Sequence, residues 1–268
     1  MKKTLVIFIL SLVVFSCEKD KQLIIENTGI PLISKVLVDG EVYYEYSYND
    51  ANLISEEKSK FYYTRHIYND KNQLILSDHY VDPGIFSSSM QVLEATLSRE
   101  EWVNPENTEK SLTTTFEYDG NEQLTRKTFI RPLVSNSEFF EFNCVNGRIS
   151  RMTMYWKNEL SGYIDYQYDE KGNLIKEIKY LVLSAGIPEL RTTTEYEYDN
   201  MKNPYQSFKR LMTPGKYTNQ NNITKETYTI HFEVDPWSEN IHVGESSYEY
   251  NEQGYPVKVN GNVTYVYK

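Results

Sequence analysis

The feature that most constrains this chain is a short phrase that returns along its length: an aromatic residue, a polar one, a second aromatic, then Asp or Asn. It reads Tyr44-Glu45-Tyr46-Ser47-Tyr48-Asn49, Tyr68-Asn69-Asp70, Phe116-Glu117-Tyr118-Asp119, Phe140-Glu141-Phe142-Asn143, Tyr166-Gln167-Tyr168-Asp169, Tyr196-Glu197-Tyr198-Asp199 and Tyr248-Glu249-Tyr250-Asn251. The aromatics before the Asp or Asn lie 20, 50, 24, 26, 30 and 52 residues apart. The two long intervals read as double steps that hide degenerate units of one repeat. Aromatics at every second position mark a strand with one buried face. Thr194, Tyr196 and Tyr198 suit that face, and Thr193, Glu195 and Glu197 suit water. Asp169-Glu170-Lys171-Gly172-Asn173, Asn146-Gly147 and Asn260-Gly261 accept positive φ and close hairpins.

A lone hairpin is barely stable in water, so consecutive ones must pair edge to edge or share a core. The predicted fold is all-β: an antiparallel meander of repeated β-hairpins forming a long twisted or curled sheet, in a single elongated domain over 33–268. The 24 tyrosines in 268 residues support strands, because aromatic side chains fit a pleated, half-buried surface. Ser87-Ser88-Ser89 ahead of Met90, Leu93, Leu97 and Glu100 predicts one short helix near 87–100.

The N-terminus carries an address. Lys2 and Lys3, the apolar run Leu5 to Phe15 and then Ser16-Cys17 have the layout of a lipoprotein signal peptide over 1–16, with Cys17 as the lipidation site. Residues 17–32, opening with Glu18-Lys19-Asp20-Lys21, read as a solvated tether. The expectation is an outer membrane lipoprotein held to the membrane by its N-terminal lipid and exposed at the cell surface.

A formal net charge of −10, more negative once Lys2 and Lys3 are removed, opposes contact with a phosphate backbone, so nucleic acid is not an expected partner. Cys144 is the one cysteine left after Cys17 and reads as a buried small hydrophobe. His66, His79, His231 and His242 are scattered without the paired spacing of a metal site. Glu45, Glu117, Glu141, Glu197 and Glu249 recur at equivalent places, as a solvated sheet face requires. A glycosidase pair among the carboxylates would depend on which two face one cleft. Asp119, Asp169, Asp199, Asn49 and Asn251 read as Asx-turn residues. Trp156, in step with Met152 and Met154, reads as core. Trp102 and Trp237, beside Asn104-Pro105 and Asp235-Pro236, read as the candidate ligand-binding residues. No catalytic residue and no cofactor is expected. A binding or scaffold module for a glycan or an envelope protein leads, with a polysaccharide-active enzyme or a purely structural envelope component as alternatives.

Tyr196-Glu-Tyr-Asp-Asn-Met-Lys-Asn-Pro-Tyr205, Asn221-Asn222-Ile223-Thr224-Lys225 and Tyr248-Glu-Tyr-Asn-Glu-Gln-Gly-Tyr-Pro-Val-Lys-Val259 together resemble an uncharacterised lipoprotein family of the Bacteroidetes type, a domain of unknown function. The single units, clearest at Tyr166 to Tyr180, resemble YD repeats of the RHS type. The first resemblance implies an envelope location and no activity. The second implies a spiral of hairpins.

Overall fold

The computed structural model describes residues 29–86, 89–91, 100–132, 134–183, 186–232 and 240–268. The protein is all-β, and its described residues form 17 antiparallel strands in one meander sheet. They are β1 (Ile33–Val38), β2 (Glu41–Tyr48), β3 (Ile54–Lys58), β4 (Tyr62–Tyr68), β5 (Leu74–Val81), β6 (Lys110–Tyr118), β7 (Leu124–Arg131), β8 (Val134–Val145) and β9 (Arg148–Trp156). There follow β10 (Glu159–Tyr168), β11 (Leu174–Val182), β12 (Pro188–Tyr198), β13 (Ile223–Ile230), β14 (Ile241–Glu245), β15 (Tyr248–Tyr250), β16 (Pro256–Val259) and β17 (Val263–Tyr267). Of the helix expected near 87–100, only Met90 and Gln91 are both described and helical; the remainder falls largely outside the described residues.

Each strand from β1 to β13 pairs with the next, β16 pairs with both β15 and β17, and β17 pairs back onto β1. No ladder joins β14 to β15. They are consecutive pieces of one run, β14 on β13 and β15 on β16, with Ser246 N–H donating to Thr224 O and Asn260 N–H to Ser247 O where the run changes partner. The sheet therefore curls until its two end strands lie end to end on one stretch of backbone.

The repeated phrase explains the unit. Its Asp or Asn accepts backbone N–H bonds from two and four residues on, as Asn49 does from Ala51 and Leu53, Asp119 from Asn121 and Gln123, and Asn251 from Gln253 and Tyr255. This is the Asx-turn read from sequence. The turn delivers a fully buried residue six positions after the last aromatic: Ile54, Leu74, Leu124 or Leu174. The last aromatic of the following unit then donates its hydroxyl to that residue's carbonyl. Tyr48, Tyr68, Tyr118, Tyr168, Tyr198 and Tyr267, and Tyr248 as the first aromatic of its unit, reach Ile33, Ile54, Leu74, Ile149, Leu174, Pro256 and Ile223 at 2.5–2.9 Å. Cys144 takes this place in the remaining unit, its Sγ 3.8 Å from Leu124 O and half-buried.

The two long intervals are insertions, a correction to the double-step reading. Between β4 and β6 the described residues hold the single strand β5, and the added length is the 82–109 connection. Between Tyr198 and Ile223 the turn expands into a segment that folds under the sheet. On the outer face, alternate positions form cross-strand ion pairs: Lys35–Glu45 (2.8 Å), Arg126–Glu141 (2.7 Å), Lys176–Glu195 (2.7 Å) and Lys225–Glu197 (2.8 Å).

Candidate ligand cavities inside the curled sheet

The expanded turn builds the interior. Asn203 caps a 3-10 helix, Pro204–Leu211, its Oδ1 accepting from Tyr205 N–H at 2.9 Å, and Pro204 at the first position needs no N–H partner. Tyr205, Phe208 and Leu211 are buried against Ile33, Val36, Ile54 and Leu74. The Phe208 ring meets Tyr46 edge-on at 4.9 Å. The helix ends at Met212, which adopts a left-handed conformation with φ 54°. The returning stretch is sewn to the sheet by amides. Asn219 Oδ1 accepts from Leu174 N–H (2.8 Å), Asn219 Nδ2 donates to Tyr198 Oη (2.9 Å), and Asn173 Oδ1 accepts from the N–H groups of Gln220 and Asn221. Asn173 and Asn219 are themselves fully buried.

Among the cavities that border this segment are two that share Pro214 as part of their walls. The first, about 580 Å³, is polar and aromatic: Glu177, Glu226 and Lys216 among Tyr196, Tyr205, Tyr248 and Tyr265. Tyr196 Oη donates to Glu177 Oε1 at 3.0 Å. Burial raises the Glu177 pKa above the usual carboxylate value, and the charge of Glu226 adds to the shift, against the Tyr196 hydrogen bond and Lys179. The Lys216 ammonium lies over the Tyr205 ring at 4.2 Å, and burial lowers its pKa.

The second cavity, about 420 Å³, is apolar, with Phe116, Phe129, Phe140, Phe142, Leu112 and Met152 on its wall. A polar cluster enters it from β3 to β6. Glu57 Oε1 lies 3.0 Å from His66 Nε2, and His66 Nδ1 lies 2.8 Å from Ser77 Oγ. His79 is bracketed by Thr64 Oγ1 (3.1 Å) and Thr114 Oγ1 (3.3 Å), its pKa lowered first by burial and then by His66. A carboxylate, an imidazole and a hydroxyl in sequence have the connectivity of a nucleophile relay. Ser77, however, sits mid-strand between His66 of β4 and Thr114 of β6, where the neighbouring amides belong to the ladders that would otherwise supply oxyanion donors. Opposite this cluster stands Lys127 of β7, its ammonium 5.2 Å from the Phe116 ring centroid and 5.7 Å from that of Phe142.

Of the residues singled out by sequence, Cys17 and Trp237 lie outside the described residues. Trp102 is half-buried in the 82–109 connection and lines neither cavity. Trp156 is not core: it is 42% exposed, because it ends β9 where the strand runs past the covered interior into the Lys157-Asn158 turn. The histidines read as scattered are partly brought together. The signal was present in Thr64-x-His66 and Ser77-x-His79 on either side of one turn, once the Tyr68–Leu74 register is known. Among the described residues no three His, Cys, Asp or Glu side chains converge as a metal site, and no helix is long and apolar enough to cross a membrane.

No family model and no curated protein matches the chain. Among solved structures it is similar to a porin-like protein from Bacteroides uniformis, at 11% identity and a TM-score of 0.40, covering 88% of this chain and 96% of the other. A porin-like protein from Bacteroides vulgatus gives 11%, 0.39, 89% and 99%. TcdB2-TccC3-TEV gives 11% and a TM-score of 0.29, over 76% of this chain and 10% of that one. Likenesses of this size assign no function.

Proposed function

We propose that this is a lipid-anchored envelope protein that binds a glycan in the first cavity, between the 203–222 segment and β11 to β15. The observation that carries the reading is the lining: flat tyrosine faces beside the carboxylates of Glu177 and Glu226 and the ammonium of Lys216. Ring faces stack on the C–H surface of a sugar, and carboxylates and an ammonium pair with its hydroxyls. A volume of about 580 Å³ falls in the range of ligand sites, roughly 300–1,000 Å³. Charged pairs on the outer face suit water in place of hydrocarbon, which leaves membrane attachment to the lipid expected at Cys17.

The test is a glycan and polysaccharide binding panel on the full chain beside Glu226→Gln, Lys216→Met and Trp102→Ala. Binding lost in the first two and kept in the third is the expected result. Binding lost only in Trp102→Ala returns the site to the connecting loops, and no binding by the parent chain rejects a glycan ligand.

One observation favours a second reading, a glycan-cleaving enzyme. Glu177, held toward its protonated form, shares the cavity with Glu226, and an acid beside a second carboxylate is the pairing that glycoside hydrolysis uses. Release of reducing ends from a bound polysaccharide, abolished in Glu177→Gln, would establish it.

A further inference from the structure

The second cavity contains a cation, Lys127, that no carboxylate among the described residues pairs with. Lys127 is half-buried and lines the cavity between the rings of Phe116 and Phe142. Among the described residues its ammonium forms no ion pair, and its charged neighbour across the cavity, Glu57, is engaged by His66 at 3.0 Å. The ring faces of Phe116 and Phe142 offset only part of the lost hydration. An uncompensated buried charge is costly, whereas Met or Leu at this position would fill the same wall without penalty. The rest of the lining is mostly apolar; Glu57, His66, Ser77, His79 and Thr114 already bond within the protein, and the hydroxyls of Tyr166, Thr213 and Tyr217 carry no charge.

We infer that this cavity binds a molecule with an apolar body and a single carboxylate, the carboxylate seated on Lys127 and the body among Phe129, Phe140, Phe142, Leu112 and Met152. Among the described lining residues one cation, Lys127, is unpaired, and it selects one negative charge. Phenylalanine, leucine and methionine walls select against a hydrated phosphate or a sugar, and about 420 Å³ suffices for a small ligand. The assignment is independent of the glycan reading, which concerns the other cavity and other residues.

The experiment is calorimetric titration of the full chain carrying Cys17→Ser, so that no detergent is needed, with dodecanoate and 2-naphthoate and with their neutral counterparts dodecanol and 2-naphthalenemethanol. At least one carboxylate binds, at least tenfold more tightly than its alcohol, and Lys127→Met removes that preference while leaving alcohol binding in place. Absence of binding by both carboxylates overturns the inference. So does equal binding of each acid and its alcohol, a comparison made on the parent chain and independent of how the variant folds. A preference unchanged in folded Lys127→Met also overturns it. Glycan binding is measured on the same samples, so the two readings fail separately.

Discussion

The hydroxyl of Tyr118 donates to the carbonyl oxygen of Leu74 at 2.9 Å, across 44 residues of chain and between two strands that belong to successive hairpins. Leu74 is buried, so without that hydroxyl its carbonyl loses a partner that water does not readily replace. Tyr118→Phe keeps the ring and removes the bond. It should lower unfolding free energy by about 1 kcal/mol, read as a shift of the denaturant midpoint at constant slope.

The amides that sew the 203–222 segment to the sheet predict a larger effect. Asn219→Leu keeps the branched shape but leaves Leu174 N–H without its acceptor and removes the donor to the Tyr198 hydroxyl, which retains Leu174 O. A loss of about 3 kcal/mol is expected. Hydrogen exchange should quicken at the Leu174 amide.

Lys127 predicts a gain. Burial pulls its ammonium down to about 8, so between about pH 8 and the ordinary lysine value near 10.5 the unfolded chain binds more protons than the folded one. Stability contributed by this group therefore rises with pH across that window. Lys127→Met should abolish the rise and stabilise the protein at pH 7 by on the order of 2 kcal/mol, measured by denaturation at a series of pH values.

The tyrosines carry the opposite sign. Burial pushes Tyr118 and Tyr248 up to about 12, and Tyr46, Tyr166 and Tyr196 further. Their contribution is complete below the unfolded value near 10 and is lost as pH climbs through the folded values. Phenolate absorbance should therefore lag in the folded protein and then rise together with loss of the β-sheet circular dichroism signal. Gradual phenolate absorbance from pH 10 with the sheet intact would contradict this.

What was legible in the sequence was local. The alternation of Tyr196 and Tyr198 with Glu195 and Glu197 needs only the period of a strand, and Asp119 or Asn251 finds its partners within four residues. The interior was not legible, because its contacts link distant places: Asn219 to Leu174, Tyr205 to Tyr265, Phe208 to Tyr46. Asn203-Pro204-Tyr205 and Asn221-Asn222 stood out as motifs, yet only the fold shows that they cap and anchor the segment that creates the cavities. Lys127 looks like any lysine of an exposed strand until the curl of the sheet places Phe116 and Phe142 beside it.

The pairing of β17 with β1 also bears on how the protein is made. The first strand to leave the ribosome waits for the last before its second edge is satisfied, so a nascent or truncated chain presents a long bare edge to any neighbour. Contacts between residues as far apart as Ile33 and Tyr267 make ring-like completion a late and slow event. Biosynthesis of this chain should therefore depend strongly on chaperones that shield unfinished edges, and internal stop codons should yield aggregates in place of smaller folded products.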